Sequence, residues 1–329
     1  MKKIYLLILS IIFVSILVSC NESNTTKVYD LSKDNMPQLT DTRSEEEKIV
    51  TFKTLNGDDV TYNQNTRKIV TIMGSQDIVP FGIKLLAYEA STDITGYESY
   101  YEGASQLVGN SPFNTEEILS YHPELILVNQ KMSKSNIETL KSVTKAAVIP
   151  LYTDSLDYSE RLTYIGKIFG LNDSANKLID YANNLKDSML AEMKNLNLSG
   201  KTVTIYTYMG TGITIPPERG FFFNTILFDY LGFERLENVK NFMQDESGLA
   251  YEVISSESLR DYEGDLVIFA SIGSNEISNY VTENPGWRRL KAVKNNKVGV
   301  INMDLYATKG LTQLYKQYVE LKEALVKAL

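Results

Sequence analysis

The side chains able to do chemistry in this chain are few, and their types narrow the options. Of 329 residues, one is cysteine, Cys20, and one is histidine, His122. A lone thiol cannot close an internal disulfide, and thiolate zinc sites need partners that the chain lacks. A Ser-His-Asp triad would have to run through His122, which stands in "SYHPEL" before a proline, where a helix-to-strand turn is expected. His122 is therefore read as a turn residue. No G-x-S-x-G elbow and no Walker A loop occur. "YMGTGITIPPERG" offers Gly210-x-Gly212 after a strand pattern, but the third fingerprint position is Ile215, followed by Pro216 and Pro217. A helix cannot open there, so a loop at the strand's end is expected. No enzyme activity is expected, and no metal held directly by the protein.

Cys20 needs another explanation. Lys2 and Lys3 precede an apolar run, Ile4 to Val18, broken only by Ser10 and Ser15. The run is too short to span a bilayer and has the flanks of a secretory signal. Leu17-Val18-Ser19-Cys20 resembles the bacterial lipobox, which implies cleavage before Cys20 and lipid attachment to its thiol, with acylation such as palmitate holding the chain at the cell membrane. An ordinary signal with an incidental cysteine is the alternative. The division that follows is a signal peptide over 1–19 and a lipidated, flexible tether over 20–50, since Asn21 to Glu47 is polar and ends in three glutamates.

Composition supports a packed globular body: 43% hydrophobic and 22% charged residues. A net charge of −8 without a basic stretch argues against nucleic acid as a partner. Tyrosine stands out, with 21 against one tryptophan. Its flat apolar face and polar tip suit gripping a bulky ligand; an AT-rich genome produces the same bias, and composition does not separate the two.

The elements that must position any site read clearly. Asn56-Gly57-Asp58 suits a tight hairpin turn. "KIVTIM" (68–73) runs into Gly74-Ser75 and an apolar-periodic segment, the pattern of strand, turn and helix. Short apolar runs then alternate with helical patterns: Leu125 to Val128, Ala147 to Leu151, Val203 to Tyr208, Leu266 to Phe269 and Val298 to Ile301. Such runs indicate parallel sheets covered on both faces. Between the two groups lies a long helix, Ser174 to Leu196, with Ser174 as its N-cap and Leu178, Ala182, Leu185, Met189 and Met193 as one stripe. An amphipathic helix carrying Leu311, Leu314, Tyr315, Tyr318 and Leu325 closes the chain.

An internal match gives the plan. "NTEEILSYHPELILV" (114–128) aligns with "SSESLRDYEGDLVIF" (255–269) at a constant offset of 141, pairing Glu116 with Glu257, Tyr121 with Tyr262 and Glu124-Leu125 with Asp265-Leu266. A weaker match pairs Leu140–Ile149 with Leu290–Ile301, allowing a gap. The fold expected is α/β: two Rossmann-like lobes with parallel-type sheets joined by one long rigid helix. Its bounds are an N-terminal lobe over 51–155, linking helices over 156–198 and a C-terminal lobe over 199–329. Ligands of such sheets bind beyond the strands' carboxyl ends. That nominates Met73, Gly74, Ser75 and Gln76, then Gln130 and Lys131, Tyr208 and Met209, Ser271, and Asp304 with Tyr306.

At "GNSPFNTEEILSYHPELILVN" the chain resembles the substrate-binding proteins of class III ABC importers, which handle iron–siderophore complexes, haem and cobalamin. "VPFGIKLLAYEA", "LVGN" and "GWRRLKAVKNNKVGVI" extend the likeness over about Arg67 to the C-terminus, and "GYESYYEG" makes it most similar to Gram-positive ferric-hydroxamate binders. The resemblance implies an extracytoplasmic, lipid-anchored, monomeric receptor with no intrinsic cofactor. It would capture an Fe(III)–siderophore chelate in the inter-lobe cleft and pass it to an ABC permease dimer and its ATPase. It further implies that Glu116 and Glu257 dock onto permease arginines, although first-turn glutamates also suit the helix dipole without any partner. It adds Tyr97, Tyr100, Tyr101, Arg219 and Phe222 to the ligand contacts. Spaced back from Gly232, the family's arginine would fall near Phe222 rather than Arg219. Trp287 is expected to pack against its lobe. A haem or cobalamin receptor is the nearest alternative, and a chelatase-like extracytoplasmic enzyme the alternative of another class. Replacing Cys20 by alanine should move the protein from the membrane fraction to the soluble fraction and remove incorporated palmitate label; retention of both would exclude this anchor.

Overall fold

The computed structural model describes residues 31–89, 94–109, 114–129, 132, 134–151, 157–198, 200–216, 221–242, 252–307 and 310–329. Cys20, Gln130, Lys131 and Arg219 lie outside them.

Strands β1 (Ile49–Lys53) and β2 (Asp59–Asn63) form the expected hairpin, turning through Gly57 at φ 86°. The N-terminal lobe then builds β3 (Ile69–Thr71), β4 (Ala87–Tyr88), β5 (Ser105–Gln106), β6 (Leu125–Asn129) and β7 (Ala147–Leu151), parallel throughout in the order β5-β4-β3-β6-β7. The C-terminal lobe builds β8 (Val203–Tyr208), β9 (Ile213–Ile215), β10 (Glu252–Val253), β11 (Leu266–Ser271) and β12 (Val298–Asn302), in the order β10-β9-β8-β11-β12. Here β8, β11 and β12 are parallel and β9 is antiparallel to both its neighbours. The loop expected at Gly210–Ile215 is therefore a tight turn followed by a return strand. Ile213 and Ile215 are buried, so the segment folds back on the sheet rather than into solvent.

The repeat is a structural one. In β6, Leu125 and Leu127 face one core while Ile126 and Val128 face another; 141 residues later, Leu266 and Ile268 divide from Val267 and Phe269 in the same way. The inner faces of both sheets merge with the bridging helix into one shared core, and each outer face has its own. The bridging helix spans Asn172–Lys194, starting two residues before the expected Ser174, and has no side-chain cap. All five stripe residues are buried, so packing against both sheets holds it in place of a cap. Trp287 packs edge-on to Tyr206 at 5.7 Å and Phe269 at 5.5 Å, within the C-terminal outer core. His122 adopts φ 48°, the left-handed turn between its helix and β6.

The tether expected over 20–50 is overturned for its described part. Residues 31–47 lie on the folded body. Asp34 accepts from Tyr97 Oη of the N-terminal lobe at 2.7 Å, from Tyr181 Oη of the bridging helix at 2.6 Å and from Met36 N at 2.9 Å. Tyr315 Oη, on the C-terminal helix, donates to Leu31 O at 2.9 Å. A Cβ on Gly82 would meet Leu39 O and Asp41 N at 2.6 Å, so only glycine lets the strap run this close, and φ 80° suits it too. Polar composition suggested solvation; the Asp34 side chain instead pairs with buried tyrosines far away in sequence.

Each sheet is also clamped at the amino ends of its strands. Glu124, before β6, accepts from Thr66 Oγ1 at 2.6 Å and Lys68 Nζ at 2.9 Å. Asp265, its partner in the repeat, accepts from Thr202 N at 2.8 Å and Oγ1 at 2.9 Å. These bonds hold both carboxyls below the usual carboxylate range. Because the folded values are lowered, the stabilisation is complete above the unfolded value of about 4 and is lost as pH falls through the folded values. Glu124→Gln with Asp265→Asn should make denaturant stability fall less steeply with acidification below pH ~4; an unchanged acid limb would rule the clamps out as its cause.

Candidate functional site

The loop after β3 is held from inside. Glu89, one residue past β4 and buried, accepts from Thr71 Oγ1 at 2.6 Å, Gly74 N at 3.0 Å, Ser75 N at 3.0 Å and Ser75 Oγ at 2.8 Å. The backbone N–H groups nominated for a ligand thus already serve a carboxylate of the chain. Sequence reading missed Glu89; its one signal is an acid set directly after an apolar strand.

Two residues after Ser75, Asp77 is fully buried and meets Arg161 of the helix Tyr158–Phe169, with Nη2 at 3.0 Å from Oδ2 and Nε at 3.1 Å. Arg161 also lies over the Tyr158 ring at 4.4 Å. The second oxygen, Asp77 Oδ1, accepts from Leu311 N of the C-terminal lobe at 2.8 Å. Burial pushes the Asp77 carboxyl up, while the Arg161 guanidinium and the Leu311 N–H act to keep it ionised. Alongside, a Cβ on Gly310 would fall 1.8 Å from Gln76 Oε1. The carboxyl ends of the two sheets therefore converge on one seam, floored by Gln76-Asp77 from one lobe and Gly310-Leu311 from the other.

Around this seam the nominated residues divide. Met73 remains 36% exposed and Met209 38% exposed, each just past a central strand. Tyr208 is half-buried, its ring stacked on Tyr280 at 5.8 Å and 4°, and its hydroxyl donates to Gly210 O at 3.1 Å. Tyr280, which was not nominated, is 76% exposed; a tyrosine in a short helix carried no signal in sequence. Tyr100 is half-buried and accepts from Gln38 Nε2 at 2.7 Å.

Others are occupied internally. Ser75 is buried on Glu89, with Tyr101 Oη 3.1 Å away, and Tyr101 is itself buried. Gln76 is buried at the seam, and Tyr97 is committed to Asp34. Burial, with Asp34 beside it, pushes the Tyr97 hydroxyl well above the usual tyrosine range. Phe222 packs edge-on to Tyr158 at 5.8 Å and Tyr318 at 6.3 Å. Ser271 is buried, donating to Glu276 O at 2.6 Å. Tyr306 is inside the core, donating to Gln317 O at 2.7 Å. Asp304 accepts from Gly273 N at 2.8 Å, tying the loops after β11 and β12. Among the described residues no group of three or more His, Cys, Asp or Glu could hold a metal ion.

Comparison with known proteins identifies the family. Residues 100–305 match the family model described as periplasmic binding protein. The chain belongs to that family. This periplasmic binding protein is 21% identical to the iron(3+)-hydroxamate-binding protein YxeB of Bacillus subtilis over 334 residues, covering 99% of this chain and 98% of that one. It is also 21% identical to YvrC of Bacillus subtilis, named an uncharacterized ABC transporter substrate-binding lipoprotein, over 84% of this chain and 85% of YvrC. The structure of the triscatecholate siderophore binding protein FeuA from Bacillus subtilis, complexed with ferri-bacillibactin, superposes with a TM-score of 0.66 at 19% identity, covering 84% of this chain and 98% of FeuA. Its likeness is one of fold.

Removing either partner of the buried pair strands the other's charge without water. Asp77→Ala or Arg161→Leu should lower unfolding free energy by about 3–5 kcal/mol in a denaturant titration; a loss under ~1 kcal/mol would show that the pair is dispensable.

Proposed function

We propose that this periplasmic binding protein is a lipid-anchored extracytoplasmic receptor that captures a ferric siderophore of the hydroxamate type and delivers it to an ABC permease. The observation that carries the ligand class is the chemistry of the strand ends. Met73, Met209 and Tyr280 are exposed there, and Tyr280 stacks on the half-buried Tyr208. Among the described residues within three positions of the ends of β3, β8, β11 and β12, none is cationic and Asp304 is the one carboxylate, while Lys131, after β6, lies outside the described residues. Three singly charged hydroxamates neutralise Fe(III), whereas three doubly charged catecholates leave a strongly anionic complex that would call for lysine or arginine at those ends. A neutral chelate with an organic periphery suits thioethers and stacked tyrosines. The full-length similarity to YxeB, named for iron(3+)-hydroxamate binding, supports the same reading.

Capture uses a largely preformed cleft. With Asp77, Arg161 and Leu311 joined in a buried contact, the lobes have little freedom to close as a hinge, and affinity would come from pre-organisation. Release to the permease is assigned to Glu116 and Glu257. Both are exposed, equivalent in the repeat and without an ion-pair partner among the described residues, so each can accept a bidentate guanidinium. Gln130, Lys131 and Arg219, which lie outside the described residues, are kept as proposed contacts; the buried Ser75, Gln76, Tyr97, Tyr101, Phe222, Ser271 and Tyr306 are not. Anchoring through Cys20 rests on the lipobox-like "LVSC" and agrees with the lipoprotein description of YvrC. Haem is the second reading, favoured by the exposed Met73 and Met209, since a thioether is a known axial ligand.

The test is a fluorescence titration of the protein with a ferric trihydroxamate, a ferric triscatecholate, haem and cobalamin. The expected result is saturable, micromolar or tighter quenching by the trihydroxamate, absent with its iron-free form, and weakened about tenfold by Tyr280→Ala, or ~1.4 kcal/mol. Preference for the catecholate would overturn the ligand class, and preference for haem would install the second reading.

A further inference from the structure

The repeat places a cavity at the distal end of each lobe, at the amino ends of the strands and away from the cleft. The N-terminal cavity, about 530 Å³, is lined by Leu119, His122, Pro123 and Glu124 together with the β1–β2 hairpin. The C-terminal cavity, about 550 Å³, is lined by Arg260, Glu263, Gly264 and Asp265, the same four positions shifted by 141. Architecture is shared, but charge is not. The C-terminal cavity also receives Lys201 from before β8, Lys291 from the helix after Trp287 and Lys297 from before β12. Leu119 of the first cavity is replaced in the second by Arg260.

The acids of the C-terminal cavity are turned onto the chain itself. Asp265 accepts from Thr202 N and Oγ1, and Glu263 Oε1 accepts from Ala292 N at 2.8 Å. Lys297 Nζ donates to Leu329 O. Among the described residues the side chains of Arg260 and Lys291 have neither a hydrogen-bond acceptor nor an ion-pair partner, and Lys201 makes no hydrogen bond, its charge acting on Asp265 through space. Three cations from three separate elements thus converge on one concavity of a protein whose net charge is −8. The equivalent cavity of the N-terminal lobe has one lysine in its lining, Lys145, and no arginine, against three lysines and Arg260 here.

We propose that this cavity is an anion site, distinct from the chelate cleft, for a phosphate or phosphodiester group. The Arg260 guanidinium supplies planar, bidentate donors to two phosphate oxygens, and Lys201 and Lys291 supply point charges from other sides. The group can come from an anionic lipid headgroup or from free or polymeric phosphate, and the chemistry of recognition is the same.

Calorimetric titration of the full chain in neutral detergent with inorganic phosphate, at constant ionic strength, tests the site. Saturable binding is expected, weakened at least tenfold by Arg260→Leu, which restores the residue of the other lobe, and by Lys291→Gln, whose exposed position makes misfolding an unsuitable explanation. Chelate quenching should be unchanged in both variants, which keeps this site's failure separate from that of the cleft. Sedimentation with phosphatidylglycerol vesicles against phosphatidylcholine vesicles separates the sources. Phosphate-displaceable binding to phosphatidylglycerol upholds the site with a headgroup as its ligand; phosphate binding without vesicle binding upholds it with a soluble anion. Non-saturable heats, or equal affinity in wild type and both variants, would overturn it.

Discussion

The buried contact among Asp77, Arg161 and Leu311 is the constraint around which the two lobes are arranged. A carboxylate without water is costly unless every lone-pair direction finds a donor. Here the donors come from the helix Tyr158–Phe169 and from the backbone of the opposite lobe, so neutralising the charge requires the lobes to meet in one relation. The strap repeats this logic on a smaller scale. Asp34 collects hydroxyls from the N-terminal lobe and the bridging helix, while Leu31 O takes one from the C-terminal helix. Such contacts fix the relation of the two lobes without any ligand.

The repeat explains the symmetry of the molecule, and its departures from symmetry show where the two copies have different work. Both lobes keep the central parallel strands, the two-faced strand pattern and the acid–threonine clamp at the base of the sheet. They differ at the edges. The N-terminal sheet extends with parallel strands, whereas the C-terminal sheet folds back through antiparallel β9. The helix before β6 is a capped α-helix with Asn114 accepting from Glu116 N and Glu117 N, while its counterpart before β11 is a tighter 3₁₀ turn, Leu259–Tyr262. Glu116 and Glu257 nonetheless stay exposed in both.

The fold was largely legible in the chain. Strand runs such as Ala147–Leu151 and Val203–Tyr208 were readable to the residue, because a buried parallel strand is a short unbroken apolar run between turn signals. The bridging helix showed its stripe, though its first turn needs no capping serine once its face is buried. The site was legible only in outline. Strand-end logic reached Met73 and Met209, which are exposed, and Tyr208, which is half-buried, but equally Ser75, Ser271 and Tyr306, which are buried. Aromatic composition nominated Tyr97, Tyr101 and Phe222, all of them committed to packing or to buried hydrogen bonds.

What the sequence by itself determined is therefore the part carried by local pattern: two α/β lobes, their 141-residue correspondence, the helix between them, and membership of the periplasmic binding protein family. Periodicity and turn chemistry act over a few residues, so they can be read along the chain. Which tyrosine points into solvent, which carboxylate is consumed by the backbone and where the strap lies were decided by the tertiary structure alone. Glu89 and Asp34 look like ordinary surface acids until their partners, up to 147 residues away, are brought beside them. The physical reason is that a polar group's role depends on what satisfies it, and burial recruits those donors from anywhere in the chain.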